Sequence, residues 1–595
     1  MTVRSKNFIG RHAICHHAVA RFLEKNLRDQ NQYGHALLKI GTGLHRCRAA
    51  PSRSDGMSLA PPFREMRFLR RLTIAALLFT AGCARVAPSE TANAIQQVVS
   101  GSPLSPAKAT VWADVRRFYE ARGGAPAWTS DRGPANGAAK ALTVIRSAAD
   151  HGLEPAQYGE PDIARRLDAF AAKTAKPATA RDLAELDARL TAALLALGHD
   201  VGYGRQSPSD IDPQWKANRQ AQDLAASLNT AVTKNEIAGW LAVVQPQHAE
   251  YAALVKATQD LRGEASAGGW PSVAPGPYKV GARNPAVLTL RKRLAATGEL
   301  QADRVSSDLY DPDLKASVVA FQEHHGLKAS GLADAATVGA MNVPVDARLQ
   351  QIAANLERWR WEPDDFGARH FVVNIPSLHV TAVEDGHIVK SIRVIVGKPD
   401  KPTPVLSAMM TMVTFSPYWN IPDTIVAGET APAVAKDRQY LAKNHIEILR
   451  RTDKGVTVVD PSRVHWNNPD DLKGLAFRQL PGPDNALGHV VFRFPNPYDV
   501  YLHDTPADSL FAQPGRALSH GCVRVEEPED LAKYVLRDDP DWPEDKILAA
   551  MQSDVEKTVT LRTPIPVHIV YFTAWVDEHG GRHFHPDIYG YDVQK

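Results

Sequence analysis

The spacing of apolar residues divides the chain into a helical half and a strand-rich half. From about residue 106 to 262 the sequence is rich in Ala and Leu, and apolar positions recur every three or four residues, as at Leu183, Leu186, Leu190 and Leu194. That repeat is the signature of helices burying one face. Trp112, Phe118, Tyr119 and Trp128 are expected in the core of this scaffold, which shows no catalytic constellation. Residues 84–105, rich in Ser, Ala, Pro and Thr, read as a tether, and residues 263–277, with Gly268, Gly269, Pro271, Pro275 and Pro277, as a linker. Residues 278–345 predict a compact helical unit with Val318, Phe321 and Leu327 in its core. Residues 346–366 predict a connecting helix with Ile352, Leu356 and Trp359 on one face and Pro363 beyond its end.

After Phe366 the period shortens. Residues 371–376, 390–396, 411–415, 490–494 and 567–572 read as strands, with Asp385-Gly386 as a hairpin turn. Residues 367–595 therefore predict a β-rich domain. The stretch 424–480 is helical and loop-like and would form a cap inserted into it. The fold class is multidomain α+β.

Composition is globular, with 44% hydrophobic and 23% charged residues. At 595 residues the chain is too long for one core. The net charge of +3 is unevenly spread: residues 1–65 carry a net +7, whereas the chain beyond Arg71 carries a net −7. A mildly acidic body lacks the basic face that nucleic acid requires, so no nucleic-acid partner is expected. Arg67, Arg70 and Arg71 precede an apolar run, residues 72–82, closed by Gly82-Cys83. A basic segment, a short apolar stretch and a small-residue end form an export signal, too short to span a bilayer. Residues 66–83 are thus expected to direct export to the periplasm, and residues 1–65 to be a misassigned extension. There the Cys15, His16 and His17 cluster lacks a second ligand pair with zinc spacing. The Ala81-Gly82-Cys83 ending resembles a lipoprotein processing site, which implies Cys83 as a lipidation candidate. Ala84 in place of Asp implies outer-membrane attachment, although Thr80 stands where Leu is usual.

If Cys83 carries lipid and begins the mature chain, Cys522 is its one free thiol. A lone thiol in an oxidising compartment is either a buried small hydrophobe or a reactive group. Its surroundings, Ser519-His520-Gly521-Cys522-Val523-Arg524, favour reactivity. A free thiol titrates at about 8.5 and needs a nearby base. His520, two positions away, and His503, in Tyr501-Leu502-His503-Asp504-Thr505-Pro506, are both candidates. Gly521 allows an unusual backbone, the N–H groups of Gly521 and Cys522 could face an oxyanion, and Arg524 offers a fork for a carboxylate.

These residues resemble the L,D-transpeptidase catalytic domain family, whose signature is an upstream His, then Ser-His-Gly-Cys, then Arg two residues on. Residues 415–422 and 481–488 match it too. Residues 278–345 resemble the small three-helix peptidoglycan-binding family, with its apolar-Phe-Gln helix, Gly-Leu turn and Thr-capped last helix. A generic helical spacer is the competing reading. The order of scaffold, binding unit and capped catalytic domain is that of the family's large members. The resemblance implies Cys522 as nucleophile, His503 as general base, the Asp504 carbonyl orienting the imidazole, and oxyanion or supporting roles for Gly521, Cys522, Tyr501, His520 and Ser519. Arg524, Trp419 and Tyr418 would contact substrate. Asp504 stands where the family often has Gly. The implied reaction is acyl transfer from a donor stem tetrapeptide of peptidoglycan to an acceptor amine through a cysteinyl thioester, giving a 3→3 cross-link, without cofactor or metal. Carbapenems should acylate Cys522.

Two alternatives stay open: an L,D-carboxypeptidase or protein-to-peptidoglycan transferase on the same cysteine, and a non-catalytic wall-binding lipoprotein. His583-Phe584-His585 with Asp587 reads as a polar turn rather than a metal site, Trp359 as core, and Arg450-Arg451 as a solvated pair.

Overall fold

The computed structural model describes residues 89–592, apart from 173–177, 277, 454 and 467. The expected extension 1–65, the export segment 66–83 and Cys83 lie outside the described residues. The first described element corrects the expected tether. Helix α1 (Glu90–Ser100) starts where Ser89 Oγ accepts the Ala92 N–H at 3.1 Å. Thr91, Ile95 and Val99, four apart, form a buried stripe against α2 (Ala180–Tyr203). Small polar residues masked that stripe in the sequence. The Asp187 carboxylate of α2 is fully buried. It accepts the Tyr119 hydroxyl at 2.6 Å, the Trp128 N–H at 2.8 Å and the Thr129 hydroxyl at 2.7 Å. Those donors satisfy a charge that would otherwise be costly inside a helical core.

Helix α3 (Ala249–Ser266) runs into the expected linker, and the stretch beyond it is pinned at Trp270 and Val273. Val273 is buried and exchanges two hydrogen bonds of 2.8 Å with the Asn342 side chain, and Trp270 lies under the Arg293 guanidinium. Gly and Pro here mark a strap whose polar backbone is answered by a side chain. The small unit comprises α4 (Pro285–Thr297), α5 (Pro312–His324) and α6 (Ala335–Met341), with Val318 and Phe321 fully buried. Leu327 is only half-buried, contrary to expectation. The buried Gln322 instead organises the turn, donating to the Leu332 carbonyl and to Thr337 Oγ1 and accepting the Gly331 N–H. Asp334, not Thr337, caps α6, and Thr337 returns its hydroxyl to that cap.

Helix α7 (Val345–Trp359) joins the pieces. On one side Arg360, just past its end, donates to the His151 carbonyl at 2.6 Å and pairs with Glu357. On the other, Asn355 and Thr573 exchange hydrogen bonds, and Arg358 pairs with Asp592 at 2.7 Å.

The C-terminal domain is built on β1 (Arg369–Asn374), β2 (His379–Glu384), β3 (His387–Gly397) and β4 (Leu406–Phe415). The cap contributes β5 (Trp419–Ile421), β6 (Ile446–Thr452), β7 (Gly455–Val459) and β8 (Leu475–Gln479). There follow β9 (Val490–Arg493), β10 (Leu502–His503), β11 (Ala517–Ser519), β12 (Val523–Val525), β13 (Lys557–Val570), β14 (Ala574–Val576) and β15 (Arg582–Phe584). The main sheet has nine strands in the order β11-β3-β12-β10-β9-β4-β13-β1-β2, and a further β3–β2 pairing closes it on itself with β11 outside the ring. The hairpin between β2 and β3 turns at Asp385 and Gly386, both with positive φ. Inside sit Val394, Val413, Phe415, Phe492, Leu502, Val523 and Val567.

The insertion differs from expectation. Short helices Asp423–Ile425, Ala431–Lys436 and Tyr440–Lys443 are joined by a four-stranded antiparallel sheet, β5-β8-β6-β7. Its strands are short and its outer face solvated, with Val456 and Val458 exposed on the edge, so the alternation that identifies a half-buried strand is weak.

Candidate active site

The site grows from one pairing of two short strands. β10 and β12 run parallel, with Leu502 opposite Val523 and His503 opposite Arg524, and the Val523 N–H donates to the Tyr501 carbonyl at 3.1 Å. Side chains alternate along a strand. Leu502, Val523 and Val525 therefore enter the barrel core, and Tyr501, His503, Cys522 and Arg524 share the other face. Residues twenty positions apart are set side by side by apolar residues between them.

His503 is buried, and its Nδ1 lies 2.5 Å from the Asp504 carbonyl oxygen. A carbonyl only accepts, so Nδ1 carries the proton and Nε2 keeps its lone pair. Burial, reinforced by the Arg524 cation, pulls this imidazole down to about 3, so it is neutral at physiological pH. Cys522 is half-buried, its Sγ 3.8 Å from the Asp499 carbonyl. Burial pushes its thiol up, while hydrogen bonds from the Tyr501 backbone and phenol and the charge of Arg524 pull the other way. The resting pair is thus thiol and neutral imidazole. The Tyr501 phenol is pushed up by burial and by Cys522, and its ring meets His503 edge-on at 5.7 Å. Asp499, beside it, is held at φ 51°, an uncommon conformation for a residue with a side chain.

The loop before the cysteine is wired tightly. Ser519 Oγ donates to the Cys522 carbonyl at 2.6 Å and accepts the Gly521 N–H at 3.1 Å. That corrects the expectation that the Gly521 N–H faces an oxyanion: it is taken by Ser519. Gly521 earns its place by its φ of 117°. Among the described residues the Cys522 N–H has no protein acceptor, which leaves it and Tyr501 as the oxyanion donors at hand. The Asp504 carboxylate accepts the His489 N–H at 2.7 Å and the Thr505 N–H at 2.6 Å and lies against Gly488, where a Cβ would come within 2.3 Å. Its side chain therefore shapes the loop, and only its carbonyl addresses the imidazole.

Arg524 is half-buried, pairs with no carboxylate among the described residues, and has a buried Nε without a partner. His520 Nε2 lies 2.8 Å from Glu429 Oε1, on the π-helical turn Val426–Thr430 of the cap. Trp419 packs against the cap's own core, and Tyr418 lies under the Arg478 guanidinium at 4.2 Å with its N–H on Glu556.

Thr403 and Tyr589 support the site without any signal in the sequence. The Thr403 hydroxyl donates to the Gly521 carbonyl at 2.8 Å and accepts the Gly397 N–H, while the Tyr589 hydroxyl donates to the Gly397 carbonyl at 2.6 Å and accepts the Thr403 N–H. Thr403 holds the loop before Cys522 and Tyr589 braces Thr403 in turn, both from far along the chain, and no local motif announces them. Among the described residues, the one grouping of His and Asp with metal-like spacing lies elsewhere, at His324, Asp577 and His583.

Comparison with known proteins agrees with this anatomy. Residues 368–567 match the L,D-transpeptidase catalytic domain, residues 113–257 a scaffold domain and residues 283–341 a peptidoglycan-binding domain. A Haemophilus influenzae protein provisionally named an L,D-transpeptidase is 36% identical over 245 residues, 41% of this chain and 48% of that protein. The chain thus spans about half the length of this curated relative. Solved structures with similarity include an L,D-transpeptidase from Xylanimonas cellulosilytica (16% identity, 50% of this chain and 98% of that one, TM-score 0.17). Another is from Stackebrandtia nassauensis (14%, 51% and 96%, TM-score 0.19).

Proposed function

We propose that this chain, whose residues 368–567 belong to the L,D-transpeptidase catalytic domain family, cross-links peptidoglycan stem peptides through a thioester on Cys522. The observation that carries the reading is the β10–β12 register, which sets an Nδ1-protonated His503 and an unpaired Arg524 on the face of the thiol.

Arg524 binds a carboxylate of the donor tetrapeptide. Cys522 Sγ attacks the carbonyl carbon of the third residue as its proton passes to His503 Nε2. Because thiol and imidazole both rest neutral, the proton moves as the C–S bond forms rather than before. The Cys522 N–H and the Tyr501 phenol stabilise the oxyanion. The C–N bond to the terminal D-Ala breaks, and His503 returns its proton to the departing amine. A side-chain amine of a second stem then attacks the thioester and gives a proton to His503. The C–S bond breaks, and the sulfur is reprotonated as the 3→3 amide forms. The chain would do this in the periplasm, exported by residues 66–83 and anchored through Cys83.

The test is intact mass measurement after incubation with a carbapenem, beside Cys522→Ala, followed by analysis of products from purified tetrapeptides. A single adduct on the wild type and 3→3 dimers are expected. Shortened stems without dimers would make the enzyme a carboxypeptidase. No adduct on a folded, reduced protein would remove the thioester mechanism and favour a wall-binding role.

A further inference from the structure

We infer that His324, Asp577 and His583 form a binding site for a divalent transition-metal ion, of the zinc type, that fastens the small helical unit to the catalytic domain. His324 is the last residue of α5, whereas Asp577 and His583 lie on the β14–β15 hairpin. One ligand atom from each falls within 4.8 Å of the others. A tetrahedral ion with bonds of about 2.0–2.1 Å needs ligand atoms roughly 3.3 Å apart, a gap closed by small side-chain rotations.

The surroundings orient the three groups. Asp577 Oδ1 accepts the N–H groups of His579 at 2.9 Å and Gly581 at 2.8 Å, which fixes the carboxylate and leaves Oδ2 to His583 Nε2 at 2.9 Å. The His583 ring is stacked on Trp575, 4.7 Å between centroids and 9° between planes, and its buried Nδ1 has no partner. His324 Nδ1 meets the Glu299 carboxylate at 3.3 Å, and the Glu299 side chain is only 3% exposed. A carboxylate on one ring nitrogen of a histidine turns the other toward a metal and raises its basicity. His324 Nε2 and Asp577 Oδ2 both face the Cα of Gly581, where a Cβ would stand 3.1 and 2.5 Å from them.

Charge points the same way. With neutral imidazoles the group holds Asp577 and Glu299, two carboxylates for two histidines. The nearby Arg582 is already neutralised by Glu264 at 2.8 Å. Imidazole and carboxylate ligands without sulfur suit zinc and its first-row neighbours rather than calcium. The site stands apart from Cys522 and takes no part in the acyl transfer.

The experiment titrates Zn²⁺ into the chelator-stripped full chain against a competing chelator. Wild type is compared with His324→Gln, His583→Gln, Asp577→Asn and, to account for the thiol, Cys522→Ala. One equivalent of Zn²⁺ should bind the wild type and Cys522→Ala alike. Each of the three ligand variants should bind it at least tenfold more weakly. Zn²⁺ should also raise the melting temperature of wild type but not of those variants. Circular dichroism establishes that each variant is folded, and the isosteric Asp577→Asn serves should a histidine variant fail to fold. Equal affinity in wild type and ligand variants, or no binding at stoichiometric Zn²⁺, would leave two metal-free histidine–carboxylate hydrogen bonds and overturn the inference.

Discussion

His520 Nε2 and Glu429 Oε1 stand 2.8 Å apart, so the loop that carries Cys522 is tied directly to the cap. The histidine of the Ser-His-Gly-Cys motif therefore acts as a strut between loop and lid. The Glu429 side chain is 55% exposed, and a polar contact this open contributes less than about 1 kcal/mol to stability. Its effect should appear in access to the cysteine. Glu429→Ala is expected to leave the melting temperature nearly unchanged and to raise the rate of Cys522 acylation by a soluble β-lactam several-fold. Glu429→Gln, which keeps the shape of the side chain and removes its charge, should fall between. Stopped-flow acylation rates equal in all three proteins would mean the pair does not hold the cap.

The electrostatics of Cys522 and His503 predict an unusual reactivity profile. A thiolate–imidazolium pair would alkylate at a rate independent of pH from mildly acidic conditions upward. Here burial raises the thiol, and His503 is held down to about 3. The rate of iodoacetamide modification should climb steadily with pH and reach no plateau below the ordinary thiol range. A plateau beginning near pH 6 would show that the ion pair forms in the free enzyme.

Much of the site was legible because its chemistry sits in contiguous motifs. Cys522, His503 and Arg524 could be named from two short segments, and the Asp504 carbonyl role is local as well. What escaped depends on distance along the chain or on weak periodicity. Thr403 reaches the Gly521 carbonyl, and Tyr589 braces Thr403, only once the barrel has closed. The role given to the Gly521 N–H failed because Ser519 competes for it two residues away, and sequence carries no information on which acceptor wins. In the fold, α1 hid behind small polar residues, and the cap sheet behind short strands with one wet face. Along the chain His583 stands beside His585 and Asp587. The structure instead sends His585 to the Pro376 carbonyl and Asp587 to Tyr571, and pairs His583 with Asp577 and His324.

Three buried histidines predict a loss of stability in mild acid. Burial holds His151 and His503 down to about 3 and His568 to about 4, against roughly 6.5 in an unfolded chain. Below pH 6.5 the unfolded state binds protons that the native state refuses, so stability rises with pH through the window from about 3 to 6.5. Each such group contributes at most about 1.4 kcal/mol per pH unit there. Thermal melts should fall steadily from pH 7 to pH 5, and His568→Gln should flatten part of that slope. A melting temperature constant over this range would mean that these rings take up protons without unfolding.

Arg524 offers the sharpest separation of binding from chemistry. Its guanidinium is half-buried, has no carboxylate partner among the described residues, and leaves a buried Nε unsatisfied. Such a group is held ready for an anion, because an unpaired buried donor costs roughly 1–3 kcal/mol until something accepts from it. A planar fork binds a carboxylate bidentately, which an ammonium cannot reproduce. Arg524→Lys keeps the charge and loses the fork, and it is expected to raise KM for the tetrapeptide donor about tenfold with a smaller change in kcat. Arg524→Gln should cost more. With a donor whose carboxylates are amidated, wild type and Arg524→Lys should converge. If Arg524→Lys instead lowers kcat and leaves KM alone, the residue acts on the thiolate rather than the substrate, and the alkylation profile of Cys522 in that variant should shift upward in pH to match.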